Sequence, residues 1–105
     1  MTEKRNFINA MAIPGLKTPD EIAAEIWGIN PLWLPVKTRK REVVEARQVL
    51  MVYRHEVLNQ SQATAAAPYG KDHSTVIHAQ KTVKALKLTN SAFREKLNMF
   101  NSRVL

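Results

Sequence analysis

The chain has 105 residues and a mass of 11.9 kDa, room for one domain and not for a nucleotide-hydrolysing motor with a second domain attached. Apolar residues make up 45%, too many for a disordered tail, and the absence of cysteine excludes disulfide frameworks and cysteine-ligated zinc. Lys and Arg number 16 against 9 Asp and Glu, and the resulting +7 points to a polyanionic partner, nucleic acid before acidic membrane.

Residues 1–17 read as a loosely attached arm closed by Pro14-Gly15. Its first part, Met1–Asn9, mixes charge and polarity and lacks the apolar core of a signal peptide. No apolar run approaches the length of a membrane span. Thr18-Pro19-Asp20-Glu21 predicts a helix start: Thr suits the cap, Pro the first turn, and acids the positive end of the dipole. Ile22, Ala23, Ile26 and Trp27 then share one face. Gly28 ends the helix, and Asn30-Pro31 reinforces the break. Leu32-Trp33-Leu34 is expected as a short apolar turn packed on the core and closed by Pro35.

Lys37-Thr38-Arg39-Lys40-Arg41 holds 4 cations in 5 positions. A long helix is predicted from Arg41 to about Leu58, with Val43, Ala46, Leu50, Tyr53 and Val57 inward, and Asn59 is its stop. Ser61 can cap a short helix over 62–67 that Pro68 ends, and Tyr69-Gly70-Lys71 forms a tight turn. Asp72 caps a helix to about Leu88, with Val76, Ile77, Ala79, Val83 and Leu86 inside. Ser91 caps a last helix through about Arg103, with Phe93, Leu97 and Phe100 inside. No stretch alternates with period two, so the fold class is all-α, a helical bundle.

The glycines exclude nucleotide loops. Gly70-Lys71 is followed by Asp72 instead of Ser or Thr, and the position a phosphate loop reserves for its first Gly is Ala65. His55, His73 and His78 make no metal site, because His73 and His78 fall on different helix faces and no His-Glu-x-x-His occurs. His78 reads as a partly buried, satisfied histidine. Trp27, Trp33, Tyr53 and Phe100 read as core, not as a stacking platform for single strands. With no nucleophile or cofactor constellation, neither enzyme nor cofactor is expected.

A short helix, a Gly turn and a second capped helix match the helix-turn-helix plan, in which the start of the second helix faces base edges. Here that start is Asp72, His73, Ser74 and Thr75, all short and able to hydrogen bond; the alternative is a plain cap followed by solvated surface. An arginine in a basic loop suits the focused negative potential of a narrow minor groove. Arg47 and Gln48, about two turns along the long helix, suit phosphates, although on spacing alone a surface ion pair of Arg47 with Glu42 or Glu45 is the favoured reading.

Three blocks in this order, Lys37-Thr-Arg-Lys-Arg41, Ala46-Arg47-Gln48 and Lys71-Asp-His-Ser-Thr-Val76 with Ile77-His78-Ala79, resemble the C-terminal DNA-binding domain of the bacterial replication initiator DnaA. The resemblance runs from about Pro19 to the last helix. It implies a Trp-repressor-like helix-turn-helix domain over residues 18–105 that binds double-stranded DnaA boxes. Carried across by position, Lys37, Arg39 and Lys40 belong to the basic loop, with Arg39 as its minor-groove reader. Arg47 and Gln48 match a phosphate-contacting pair. Lys71 matches a turn cation, and Asp72, His73, Ser74 and Thr75 the groove-facing start of the recognition helix.

The chain departs from the family pattern where Tyr69-Gly70 meets Lys71 directly, one residue short of Phe-Gly-Gly. It departs again at Ser61-Gln62-Ala63, in place of Ser-Leu-Pro, and at Ala65-Ala66, in place of Ile-Gly. The family's ATPase domain is expected to be missing from a chain of this length. The resemblance further implies cytoplasmic, nucleoid-associated protein, with the full-length initiator or its regulators as further partners. The competing expectation is a regulatory or protein-interaction remnant that binds DNA only non-specifically.

Overall fold

The computed structural model describes residues 16–104. The arm expected over residues 1–17 therefore lies outside the described residues, apart from Leu16 and Lys17. Five α-helices follow one another: α1 (Pro19–Trp27), α2 (Arg41–Glu56), α3 (Gln62–Ala66), α4 (His73–Thr89) and α5 (Ser91–Val104). Single 3-10 turns stand between them at Pro31–Trp33 and Ala67–Tyr69. No strand occurs among the described residues, so the all-α expectation is met.

Local chemistry sets the helix ends. At α1 the Thr18 hydroxyl accepts from the Glu21 amide at 3.2 Å while the Glu21 carboxylate accepts from the Thr18 amide at 2.9 Å. This reciprocal pair satisfies two orphan donors of the first turn. Gly28 closes α1 in the left-handed region, φ +69°, where a side chain would be strained. The Ser61 hydroxyl accepts from the Thr64 amide at 3.1 Å and starts α3. At α5 the sequence expectation needs correction. Asn90, not Ser91, is the capping side chain, its Oδ1 accepting from the Phe93 amide at 3.0 Å. Ser91 is already inside the helix.

The core forms where α2 packs on α1 and α4, closed by α5 across α1 and α4. Trp27 of α1 meets Phe93 of α5 at 6.1 Å between ring centres, and Tyr53 of α2 meets Phe100 edge-on at 5.5 Å. Ala65 and Ala66 are fully buried where α3 packs on α4 and α2. Leu34 alone of the Leu32-Trp33-Leu34 run is in the core. Leu32 and Trp33 are exposed, because a single 3-10 turn can send only one of three consecutive side chains inward. Val57 and Ile77, expected inside, are also exposed. Val57 falls past the last turn of α2, and Ile77 sits beside the buried stripe of Val76, Ala79 and Val83. Among the described residues no helix is long and apolar enough to cross a membrane.

Candidate nucleic-acid interface

The basic loop bridges the 3-10 turn and α2. Lys37, Arg39, Lys40 and Arg41 are exposed, and none pairs with a carboxylate among the described residues. Lys40 precedes α2 without a side-chain cap, so the first amides of this helix keep their donors beside a cluster of cations. That combination of free N–H groups, dipole and positive charge favours a bound phosphate.

Arg47 explains how the loop is held. The chain expected it at a phosphate, but its side chain lies inside the protein at 4% exposure. Nε donates to the Leu34 carbonyl at 2.9 Å and Nη2 to the Val36 carbonyl at 2.8 Å. Burial pulls the guanidinium below its ordinary pKa. These bonds fasten the last residues before Lys37, so the phosphate-facing placement is corrected to an anchor under the basic loop. The ion pair with Glu42 or Glu45 does not form either, and Glu45 accepts from the Trp27 indole N–H at 3.0 Å. Position 47 lies one helical step from Val43 and Leu50, on the inner face of α2, a position that the surface ion pair expected from spacing overlooked. Gln48, its neighbour, is half-buried.

The second half of the site is the turn between α3 and α4. Gly70 takes φ +67°, and a Cβ there would stand 3.9 Å from the Pro35 carbonyl. The turn thus lies against the segment that Arg47 fastens. Tyr69 locks it from the other side: its buried hydroxyl donates to Asp20 at 2.9 Å and accepts from Arg54 Nε at 2.8 Å. Arg54 also reaches Asp20 at 3.3 Å and sits 5.6 Å from the centre of the Tyr69 ring. Burial, with the Asp20 charge, pushes the Tyr69 phenol well up, so it stays a donor. Arg54 was not singled out in the sequence, and the pairing of α1, α2 and the turn through it joins residues 49 positions apart.

At the start of α4, Asp72 Oδ1 gathers the Ser74 hydroxyl at 2.7 Å, the Thr75 hydroxyl at 3.2 Å and the Thr75 amide at 3.3 Å. The Ser74 hydroxyl first, then the Thr75 amide and hydroxyl, hold the carboxyl below its usual range. Asp72, His73 and Ser74 are exposed, Thr75 half-buried, and Lys71 half-buried on the turn. His78 is exposed one turn on, 3.4 Å from the Thr82 hydroxyl, and is not the partly buried residue expected. The structure therefore sets the Gly70 turn that precedes α4 against Pro35, between the two carbonyls that Arg47 holds. Arg47 itself is buried and not among the exposed residues of the site. Among the described residues, no cluster of His, Asp and Glu suits a metal ion.

Comparison with known proteins fits this arrangement. Residues 20–83 match the family described as the bacterial DnaA protein helix-turn-helix. The chain is similar to the chromosomal replication initiator protein DnaA of Flavobacterium psychrophilum, 39% identical over 72 residues, covering 68% of this chain and 15% of that protein. The DnaA of Mycoplasma capricolum is 25% identical over 96 residues, covering 90% of this chain and 21% of that protein. The DnaA of Bacteroides fragilis is 45% identical over 62 residues, covering 58% and 13%. The chain thus spans about an eighth to a fifth of the length of these relatives. The match takes in α1, α2, the α3 turn and the first part of α4, and on that extent the chain belongs to the bacterial DnaA helix-turn-helix family.

Proposed function

We propose that this chain binds double-stranded DNA in a sequence-specific way at DnaA-box-like sites, serving replication initiation or its regulation. Asp72, His73, Ser74 and Thr75 enter the major groove at the start of α4. Asp72 accepts from a cytosine amino group, His73 reaches a base edge, Ser74 bonds a base or phosphate, and the Thr75 methyl meets a thymine methyl. Arg39 reads the adjacent minor groove, with Lys37 and Lys40 at the backbone beside it. Gln48 and Lys71 contact phosphates. Arg47 contributes through the loop it anchors. The single observation that supports this reading is that the Gly70 turn before α4 lies against Pro35, in the segment that Arg47 fastens ahead of the basic loop.

The 105 residues contain no phosphate-binding loop, so the chain acts without ATP hydrolysis of its own. Where it shares sites with the full-length initiator, it competes with or accompanies it on the nucleoid. Titration of a labelled box duplex and a scrambled duplex at moderate salt tests the reading. Box binding is expected to be tighter by at least about tenfold, a threshold well below the usual gap of about 10³–10⁷ between specific and non-specific sites. Equal binding of the two duplexes, unchanged in His73→Ala and Thr75→Ala, would instead support a family remnant with only non-specific affinity.

A further inference from the structure

The expected inward residues Val57 and Ile77 are exposed together with half-buried Val52, and they floor an open groove where α2 faces α4 and α5. Its volume is about 670 Å³. Along one edge of α4 stand Lys81, Lys84 and Lys87, each three residues from the next and so on one side of the helix. All three are exposed, and none pairs with a carboxylate among the described residues. Glu56 is the one acid lining the groove, and it already accepts from Gln80 at 2.8 Å.

We propose that this groove docks an amphipathic helix of a protein partner, apolar along one face and acidic on its flanks. The apolar floor asks for a ligand that buries Leu- or Ile-like side chains, as a helix laid in a groove does. The lysine edge selects acidic flanks and disfavours basic ones, since complementary charge sets specificity at such a rim. Duplex DNA matches the lysines but offers its phosphates nothing to bury on Val52, Val57 and Ile77. The groove opens beyond the residues assigned to bases. Lys87 lies roughly 22 Å along α4 from Asp72 at the rise of an α-helix. The lysine edge therefore lies toward the far end of α4 from the residues assigned to bases, while Ile77 follows them within about two turns, and the inference rests on the groove's own lining and not on box recognition.

The test is a displayed library of helices of about five turns, ~18 residues, with a fixed leucine stripe and flanks drawn from Glu, Gln, Lys, Ser and Ala. Selection against this protein is expected to enrich Glu-flanked helices. Their affinity is expected to fall at least about tenfold for Lys81→Ser/Lys84→Ser/Lys87→Ser, a surface variant whose helical spectrum stays unchanged. Ile77→Ser is the second variant, expected to weaken the same helices without altering the charge edge. Enrichment of no helix, enrichment of neutral or basic flanks, or binding that survives both variants would overturn the proposal. Displacement of the helices by an equimolar DNA duplex would assign the groove to DNA and overturn it as well.

Discussion

Replacing Arg47 by Met separates an anchor from a phosphate contact. Methionine keeps much of the length and apolar stem but supplies no donor for the Leu34 and Val36 carbonyls, now bonded at 2.9 and 2.8 Å. A buried acceptor left without a partner costs about 1–3 kcal/mol. Leu34 lies in the core, so its carbonyl bears most of that loss, while water can replace the bond to the exposed Val36. Release of the desolvated guanidinium returns part of the cost, so the expected loss of stability is about 1–3 kcal/mol in all. For a domain of this size that lowers the melting temperature by about 4–8 °C per kcal/mol. Far-UV circular dichroism during heating measures it. DNA affinity is expected to fall because the loop is no longer held, but the salt dependence of binding should keep its slope. A direct phosphate contact predicts the opposite pattern: an unchanged melting temperature and a salt slope reduced by about 0.9. That second pattern would refute the anchoring role of Arg47.

Tyr69→Phe removes one hydroxyl from the bridge between Asp20 and Arg54 and is expected to cost about 1–3 kcal/mol in denaturant unfolding, with box selectivity retained in the folded protein. Arg39→Ala leaves the fold unchanged and narrows the box-versus-scrambled difference by about 1–3 kcal/mol if one base contact is lost, read by duplex titration. The Asp72 carboxyl is held low by Ser74 and Thr75, so its support of α4 is present above the ordinary aspartate range and is lost as pH falls below it. Asp72→Asn, which still caps, should therefore flatten the acid limb of stability while sparing neutral pH. Gly70→Ala meets no clash, with Pro35 at 3.9 Å, so only the left-handed backbone is strained; the expected loss is about 1–2 kcal/mol, measured by thermal melting.

Helix positions were legible because caps and periodicity act locally. Thr18 with Glu21, Ser61, Asp72 and Gly28 mark ends that depend on neighbours within four residues. The interior of the site was less legible because its contacts are tertiary. Arg47 shares the buried face of α2 with Val43 and Leu50, yet its charge suggested a surface ion pair and likeness of motif a phosphate, and only the path of residues 34–36 shows what its donors meet. The link from Asp20 through Tyr69 to Arg54 has no local signature at all. Val57 and Ile77 fit an inward spacing and are nevertheless exposed, because no helix of the described chain covers the end of α2 beside α4. The Asn90 cap was missed for a smaller reason: Asn90 and Ser91 are both good capping residues, and the helix begins one position earlier than Ser91 suggests.

The proposed sequence-specific DNA recognition is tested most directly by selecting bound duplexes from a random pool with the wild-type chain and sequencing them. Recovery of a DnaA-box-like motif is the predicted result, with information lost at the minor-groove positions when Arg39→Ala is used instead. A pool that stays random after selection, although the protein still retains DNA at low salt, would contradict it.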